Sequence, residues 1–364
     1  MLNTKRLFLS LAFVATLLSV GTTHAQVVFS PVFSQVRLEA RGDFDYQHID
    51  AAGAVTNPYG FHGKYFNFIV GGDLNAKFSY FFRQRIQATP GSVSLFDNTD
   101  FLYLNYKPNE HWMLRLGKDA LAVGGFEYDA APIDVLFSTV YWNNFYCFQL
   151  GAAAAYKWND GKQMLLAQVA NSPSVYYGAQ LGTGTGSEWR SGLLAYSLFW
   201  SGDFGHFKTL YSANMFQRPD KGFMNYIALG HKLVYDRWDI YLDLIHHAVA
   251  TDDWGKNYAI VSCLNFLVAD DLNLFVKGAY EQNKSEADLL TTDALDCLIP
   301  SGTSYATYGI GFEYKPSFCT DVRLHGFVAA RTQDDETGKT NTLTGNIGIT
   351  WHMNIHRMFR ERGL

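Results

Sequence analysis

The sequence predicts an all-β fold: a 16-stranded antiparallel transmembrane β-barrel with short periplasmic turns, long external loops and an inward-folded third loop. Three observations carry that reading. The chain opens with a secretory leader, apolar and polar residues then alternate with period two, and short connectors alternate with long ones.

The leader comes first. Lys5 and Arg6 form a basic start, Leu7 to Val20 an apolar run, and Thr23-His24-Ala25 the small residues that signal peptidase requires. Cleavage is expected after Ala25, leaving a barrel over 26–353 and a basic tail over 354–364. No Cys follows the apolar run, which argues against a lipid anchor, and the run is short for a membrane-spanning helix. The chain is 48% hydrophobic, 16% aromatic and only 17% charged, which excludes a disordered protein. A net charge of -5 makes nucleic acid an unfavoured partner. Four cysteines in 364 residues are no disulfide framework.

The alternation is clearest at 36–46, where Val36, Leu38, Ala40, Phe44 and Tyr46 share one face and Arg37, Glu39, Arg41, Asp43 and Asp45 the other. It recurs through sixteen segments: 34–49, 61–73, 76–87, 98–107, 111–118, 144–157, 162–171, 188–200, 206–217, 223–234, 238–249, 257–268, 272–282, 304–315, 321–332 and 342–353. Seven connectors are tight turns, such as Asn159-Asp160-Gly161 and Asp270-Asp271. The other eight (50–60, 88–97, 119–143, 172–187, 218–222, 250–256, 283–303 and 333–341) read as loops. Turns and loops segregated to opposite ends mark an outer-membrane barrel. Trp112, Tyr156, Trp158, Trp200, Trp238 and Tyr314 crowd strand ends, as an interfacial girdle requires.

In such a barrel the polar set faces the lumen. Arg37, Arg41, Lys77, Arg83, Arg85, Arg115, Lys277, Arg323 and Arg331 share that parity, most of them near the chain's two ends. The first and last strands pair on closure, so these cations are expected on one contiguous arc that would concentrate anions. Glu39, Asp43, Asp45, Asp239, Asp243 and Glu281 stand inward against them. The 119–143 connector is the longest and too apolar for water, with Leu121, Val123, Phe126, Ile133, Val135, Leu136 and Phe137 needing cover. Folded inward, with a sharp turn at Gly124-Gly125, it would hang Glu127, Asp129 and Asp134 in the lumen as a constriction.

The run Leu114-Arg115-Leu116-Gly117-Lys118, the following Gly124-Gly125-Phe126-Glu127-Tyr128 and the preceding strand Asp100-Phe101-Leu102-Tyr103-Leu104-Asn105-Tyr106 resemble the corresponding region of the phosphate-selective porin O/P family. The resemblance implies an outer-membrane barrel of sixteen strands, a homotrimer, with the third external loop folded inside. Its phosphate-selective members line the channel with a ladder of arginines and a cluster of lysines. Here wall arginines are present, but the candidate loop has only Lys118 at its base. The chain also runs past Trp351 into a basic tail, where such barrels commonly end on an aromatic.

The reading is a passive diffusion channel for small hydrophilic, anionic solutes, with outer-membrane lipid around it. The alternative is a plugged barrel whose external loops 172–187 and 283–303 bind glycan or a host surface. An enzyme is disfavoured: HExxH, GxSxG and CxxC are absent, and the adjacent His246 and His247 point to opposite faces. Gly178, Gly182, Gly184 and Gly186 read as flexible loop, Cys297 and Cys319 fall at opposite ends and should not pair, and no cofactor or metal is implied.

Overall fold

The computed structural model describes residues 31–86, 96–173, 192–218, 222–248, 255–284, 299–355 and 357. The leader, the four glycines of 178–186, Cys297, most of 283–303 and most of the basic tail lie outside these residues.

The strands form one sheet. They are β1 Gln35–Ala51, β2 Ala54–Thr56, β3 Tyr59–Asp73, β4 Phe78–Arg85, β5 Thr99–Tyr106 and β6 Trp112–Ala120. Then come β7 Phe148–Trp158, β8 Gln163–Asn171, β9 Leu194–Asp203, β10 Phe207–Gln217, β11 Phe223–Tyr235 and β12 Trp238–Ala248. The last are β13 Asn257–Ala269, β14 Leu272–Asn283, β15 Thr303–Tyr314, β16 Val322–Asp335 and β17 Gly338–Asn354. The three-residue β2 only lengthens the hairpin between β1 and β3. The other sixteen answer the predicted strands one for one. β1 pairs with β17 from Arg37↔Asn354 to Ala51↔Thr340, which closes the barrel and removes both sheet edges. Among the described residues no helix is long and apolar enough to cross a membrane.

Alternation sorts the two faces as the sequence indicated. Leu104, Leu114, Leu116, Leu198, Val276, Ile310 and Ile347 stand exposed on the outside. Trp112 packs on Tyr156 at 5.0 Å and Tyr235 on Trp238 at 4.6 Å, on strands that flank short turns. An apolar band with an aromatic rim fits hydrocarbon, where every backbone group must be paired within the protein.

Four local expectations change. The 50–60 and 333–341 connectors are not free loops: β1 and β3 pair up to Tyr46↔Tyr59, and β16 meets β17 at Asp335↔Gly338. Asp335 accepts from the Thr337 amide at 2.8 Å and hydroxyl at 2.6 Å, which holds that second turn tight. The strand expected from 144 starts at Phe148, because Thr139 caps a short helix over Val140–Asn144. The segment expected from 188 is a strand from Leu194; its first residues lie outside the described set. Lys77 is exposed in the turn before β4 rather than on the inner wall.

Two bulges among the first five strands reset the side-chain parity. One falls where Arg41 pairs with Tyr65 and Gly42 with Gly63. The other falls where Arg83 pairs with Phe101 and Gln84 with Thr99, which leaves Asp100 as the extra residue. Gly117 sits in β6 at φ +136°, and a Cβ there would lie 2.1 Å from the Leu102 carbonyl oxygen. Gly117→Ala should therefore destabilise the barrel by roughly 1–3 kcal/mol. The temperature at which the folded band converts to the unfolded band on a detergent gel should fall by several degrees; an unchanged conversion temperature would contradict this account of the β5–β6 contact.

A loop-narrowed lumen as the candidate functional site

The segment between β6 and β7 crosses the barrel interior. It carries two one-turn helices, α1 Phe126–Asp129 and α2 Val140–Asn144. Its apolar residues find cover against the wall. Leu121, Val123, Tyr141 and Phe145 are buried with inward-facing Phe216, Met224, Tyr226 and Ile245. Leu136 and Phe137 pack on Cys263, Phe275, Phe327 and Ala329. Several inner positions on β10 to β13 are thus apolar, where the sequence reading expected a polar lumen, while Ser212, Asn214, Asp243 and His247 keep the rest polar. Where the loop packs, as over Met224, Tyr226 and Ala228, both faces of the wall are apolar for different reasons: lipid outside and loop inside.

Polar contacts fix the loop in register. Gly124 donates its amide to the Ser212 hydroxyl at 2.8 Å and Gly125 to the Leu210 carbonyl at 3.2 Å. A Cβ on Gly124 would lie 2.5 Å from that same carbonyl, so the close approach needs glycine. Asp243 accepts from the Phe126 and Glu127 amides at 2.8 and 2.9 Å, capping α1 from the wall. Glu281 does the same for α2, accepting from Val140 and Tyr141 at 2.9 and 2.8 Å. Each carboxylate satisfies two otherwise unpaired helix N–H groups at the positive end of the helix.

Four expected wall cations are spent on the loop. Lys277 binds Glu127 at 2.6 Å and the Phe137 carbonyl at 2.7 Å. Arg323 pairs with Asp134 at 2.7 Å and Glu313 at 2.9 Å and donates to the Ile133 carbonyl. Arg331 donates to the Ser138 carbonyl at 2.6 Å, and Arg41 to Val135 at 2.8 Å while forking onto Asp43. Arg37 lies on the inner face of β1 and makes no hydrogen bond to the loop among the described residues. Glu127 is buried, and the Thr139 amide and hydroxyl also bind it. It does not hang free in the lumen, and Asp134 is held by Arg323. Lys118 shares the outward parity of Leu114 and Leu116 and donates to the Phe96 carbonyl at 2.7 Å, so it is no part of the constriction.

The loop leaves a cavity of about 320 Å³ against β11 to β15, lined by Lys232, Lys277, Asp129 and Asp134, and a larger opening on the opposite side, the eyelet. The eyelet is a cavity of about 710 Å³ between the loop and the inner faces of β3 to β9. Arg83, Arg85 and Arg115 line it on the wall, and Asp129 on the loop. Asp100 sits between the first two arginines, 2.9 Å from the Nε of Arg83 and 2.9 Å from that of Arg85. Arg115 pairs with Asp119, donates to Asn105 at 2.8 Å and lies over the Tyr103 ring at 4.0 Å. Three guanidiniums thus face two carboxylates on the wall, an excess of one positive charge, with Asp129 opposite. The sequence reading missed Asp100 and Asp119 as partners. Simple parity puts Asp100 with Leu102 and Leu104 on the outside; the bulge turns it in.

A family model described as phosphate-selective porin O and P matches residues 35–358. Solved structures share the fold. High-pH OprB of Pseudomonas putida aligns with a TM-score of 0.60 at 11% identity, covering 90% of this chain and 95% of that one. OmpT of Vibrio cholerae in its trimer form gives 0.55 at 10% identity, over 87% of this chain and 99% of that one. An anion-selective porin from Comamonas acidovorans gives 0.53 at 12% identity, over 87% and 99%. A search of curated protein sequences returned no match.

Removing one partner of a buried ion pair leaves the other charge unpaired, at a cost of about 3–5 kcal/mol. Lys277→Met should therefore loosen the loop, giving flickering single-channel current and proteinase K nicks within 121–147. Adding Glu127→Gln should suppress both effects. A quiet, uncut Lys277→Met channel would show that this pair does not hold the loop.

Proposed function

Since this chain belongs to the phosphate-selective porin O and P family, we propose that it is an outer-membrane diffusion channel for small hydrophilic anions, selected at the eyelet. The observation that carries the selectivity is the division of the wall cations. Those of β14, β16 and the middle of β1 hold the loop, whereas Arg83, Arg85 and Arg115 face open space. Low-dielectric walls focus the field of the one excess charge, so anions are drawn to the arginine side of the eyelet, away from Asp129, without any catalytic step. The comparison porin described as anion-selective supports the same sign. The plugged-barrel alternative finds less support, because the loop fills one side of the lumen and leaves the eyelet open.

Three finer points complete the reading. The leader at 1–25 would deliver the chain for export, and lipid would surround the outer band. The chain would assemble as a homotrimer, as the trimer form of a structural neighbour suggests.

Single-channel recording in a planar bilayer under a KCl gradient tests this. The reversal potential should show chloride preferred over potassium, and closure in three equal steps would support the trimer. Arg85→Gln with Arg115→Gln should lower the chloride-to-potassium ratio roughly two- to threefold at low salt, with less effect in 1 M salt, where exposed charge is screened. An unchanged ratio would remove these arginines from the selectivity.

A further inference from the structure

We propose that the eyelet takes a flat, singly charged organic anion, an aromatic carboxylate, with its carboxylate on Arg85 and its ring against Phe148; this rests on the channel reading above and names the solute class.

The first support is charge. Arg83 and Arg85 share the single carboxylate of Asp100, so the pair carries one net positive charge. The Arg115 charge is matched by Asp119. A monovalent anion at Arg85 meets the one excess positive charge of the wall, with Asp129 standing across the cavity on the loop. A doubly charged phosphate would bring a second negative charge against Asp129, which lines the same cavity.

The second support is donor geometry. Arg85 directs its Nε at Asp100, while its two terminal nitrogens make no hydrogen bond among the described residues. Its side chain keeps 22% of its surface open and lines the cavity. A terminal guanidinium edge offers two parallel N–H groups, the match for a carboxylate fork. Arg83 is less available, at 9% open and stacked over the Phe101 ring at 4.4 Å.

The third support is the rest of the lining. The Phe148 ring lies 5.5 Å from the Arg85 guanidinium and 5.1 Å from the Phe101 ring, edge to face. Trp142, Tyr146 and Pro132 line the loop side of the same cavity. These surfaces give a hydrated inorganic ion little in return for lost water, but they are good partners for a flat ring. The cavity of about 710 Å³ has room for such a solute.

The test uses the full-length protein in a planar bilayer, in KCl at pH 7, with three probes added singly: benzoate, cyclohexanecarboxylate and inorganic phosphate. Benzoate should reduce the chloride current at a concentration about five- to tenfold lower than either of the others, the factor one aromatic contact supplies. Arg85→Gln should abolish that difference. Phe148→Leu, which keeps an apolar side chain and removes the ring, should raise the benzoate concentration needed about fivefold and leave the cyclohexanecarboxylate value in place. Conversion of the folded band on a detergent gel checks that each variant is assembled. Equal block by all three probes, or tighter block by phosphate, would overturn the proposal while leaving the channel intact. No KCl current from folded wild-type protein would overturn the channel reading and this inference with it.

Discussion

The apolar burden of residues 121–147 governs the interior of this barrel. Leu121, Val123, Leu136, Tyr141 and Phe145 cannot remain in water at reasonable free energy, and the barrel wall is where they are buried. Burial brings the loop's backbone groups along, and these then need partners. Asp243 and Glu281 supply two of them each, and Ser212 another. Cations that would otherwise face the lumen take up loop carbonyls and the Glu127 and Asp134 carboxylates. The loop therefore fixes where the opening lies and which charges are left to line it.

That division explains how much was legible in the sequence. Strand positions were readable because lipid and water impose opposite demands on alternate residues, as in 36–46 and in Leu114-Arg115-Leu116. The inward course of the loop was readable from its apolar content. Its contacts were not. Nothing local in Lys277 says that it meets Glu127, 150 residues away, because register between loop and wall is a tertiary property. Asp100 was misplaced for a different reason: a bulge adds one residue and inverts parity, and period-two reading has no means of seeing it. Lys118 shows the same weakness in reverse. Its position at the base of the loop suggested the lumen, but strand parity places it outside, held by Phe96.

The apolar inner stretch of β11 carries a related lesson. Met224, Tyr226 and Ala228 alternate with Asn225, Ile227 and Leu229, so past Asn225 neither face of β11 reads as polar over that stretch. A strand apolar on both sides is buried on both sides. In a membrane barrel this marks wall that an internal segment covers, while the open arc lies on the side of β3 to β9. The charged strands β4 and β6 stand on that open arc, and so do the family-like segments 100–106 and 114–118.

The pairing of eyelet arginines with Asp100 and Asp119 could be taken as a weakness in a channel for anions, since each carboxylate cancels attraction. Passage needs both entry and exit, however. Three unneutralised guanidiniums in a narrow apolar passage would hold an anion tightly and slow its release. The carboxylates also fix the guanidiniums in place, so that little side-chain ordering is left to occur when a solute arrives. Arg85 is fixed through its Nε, which leaves its outer edge open to the cavity. Arg83 and Arg115 are further held over the rings of Phe101 and Tyr103. In the proposed channel the wall thus offers one excess charge on a rigid frame, with Asp129 opposite, a balance that favours entry of an anion without holding it tightly.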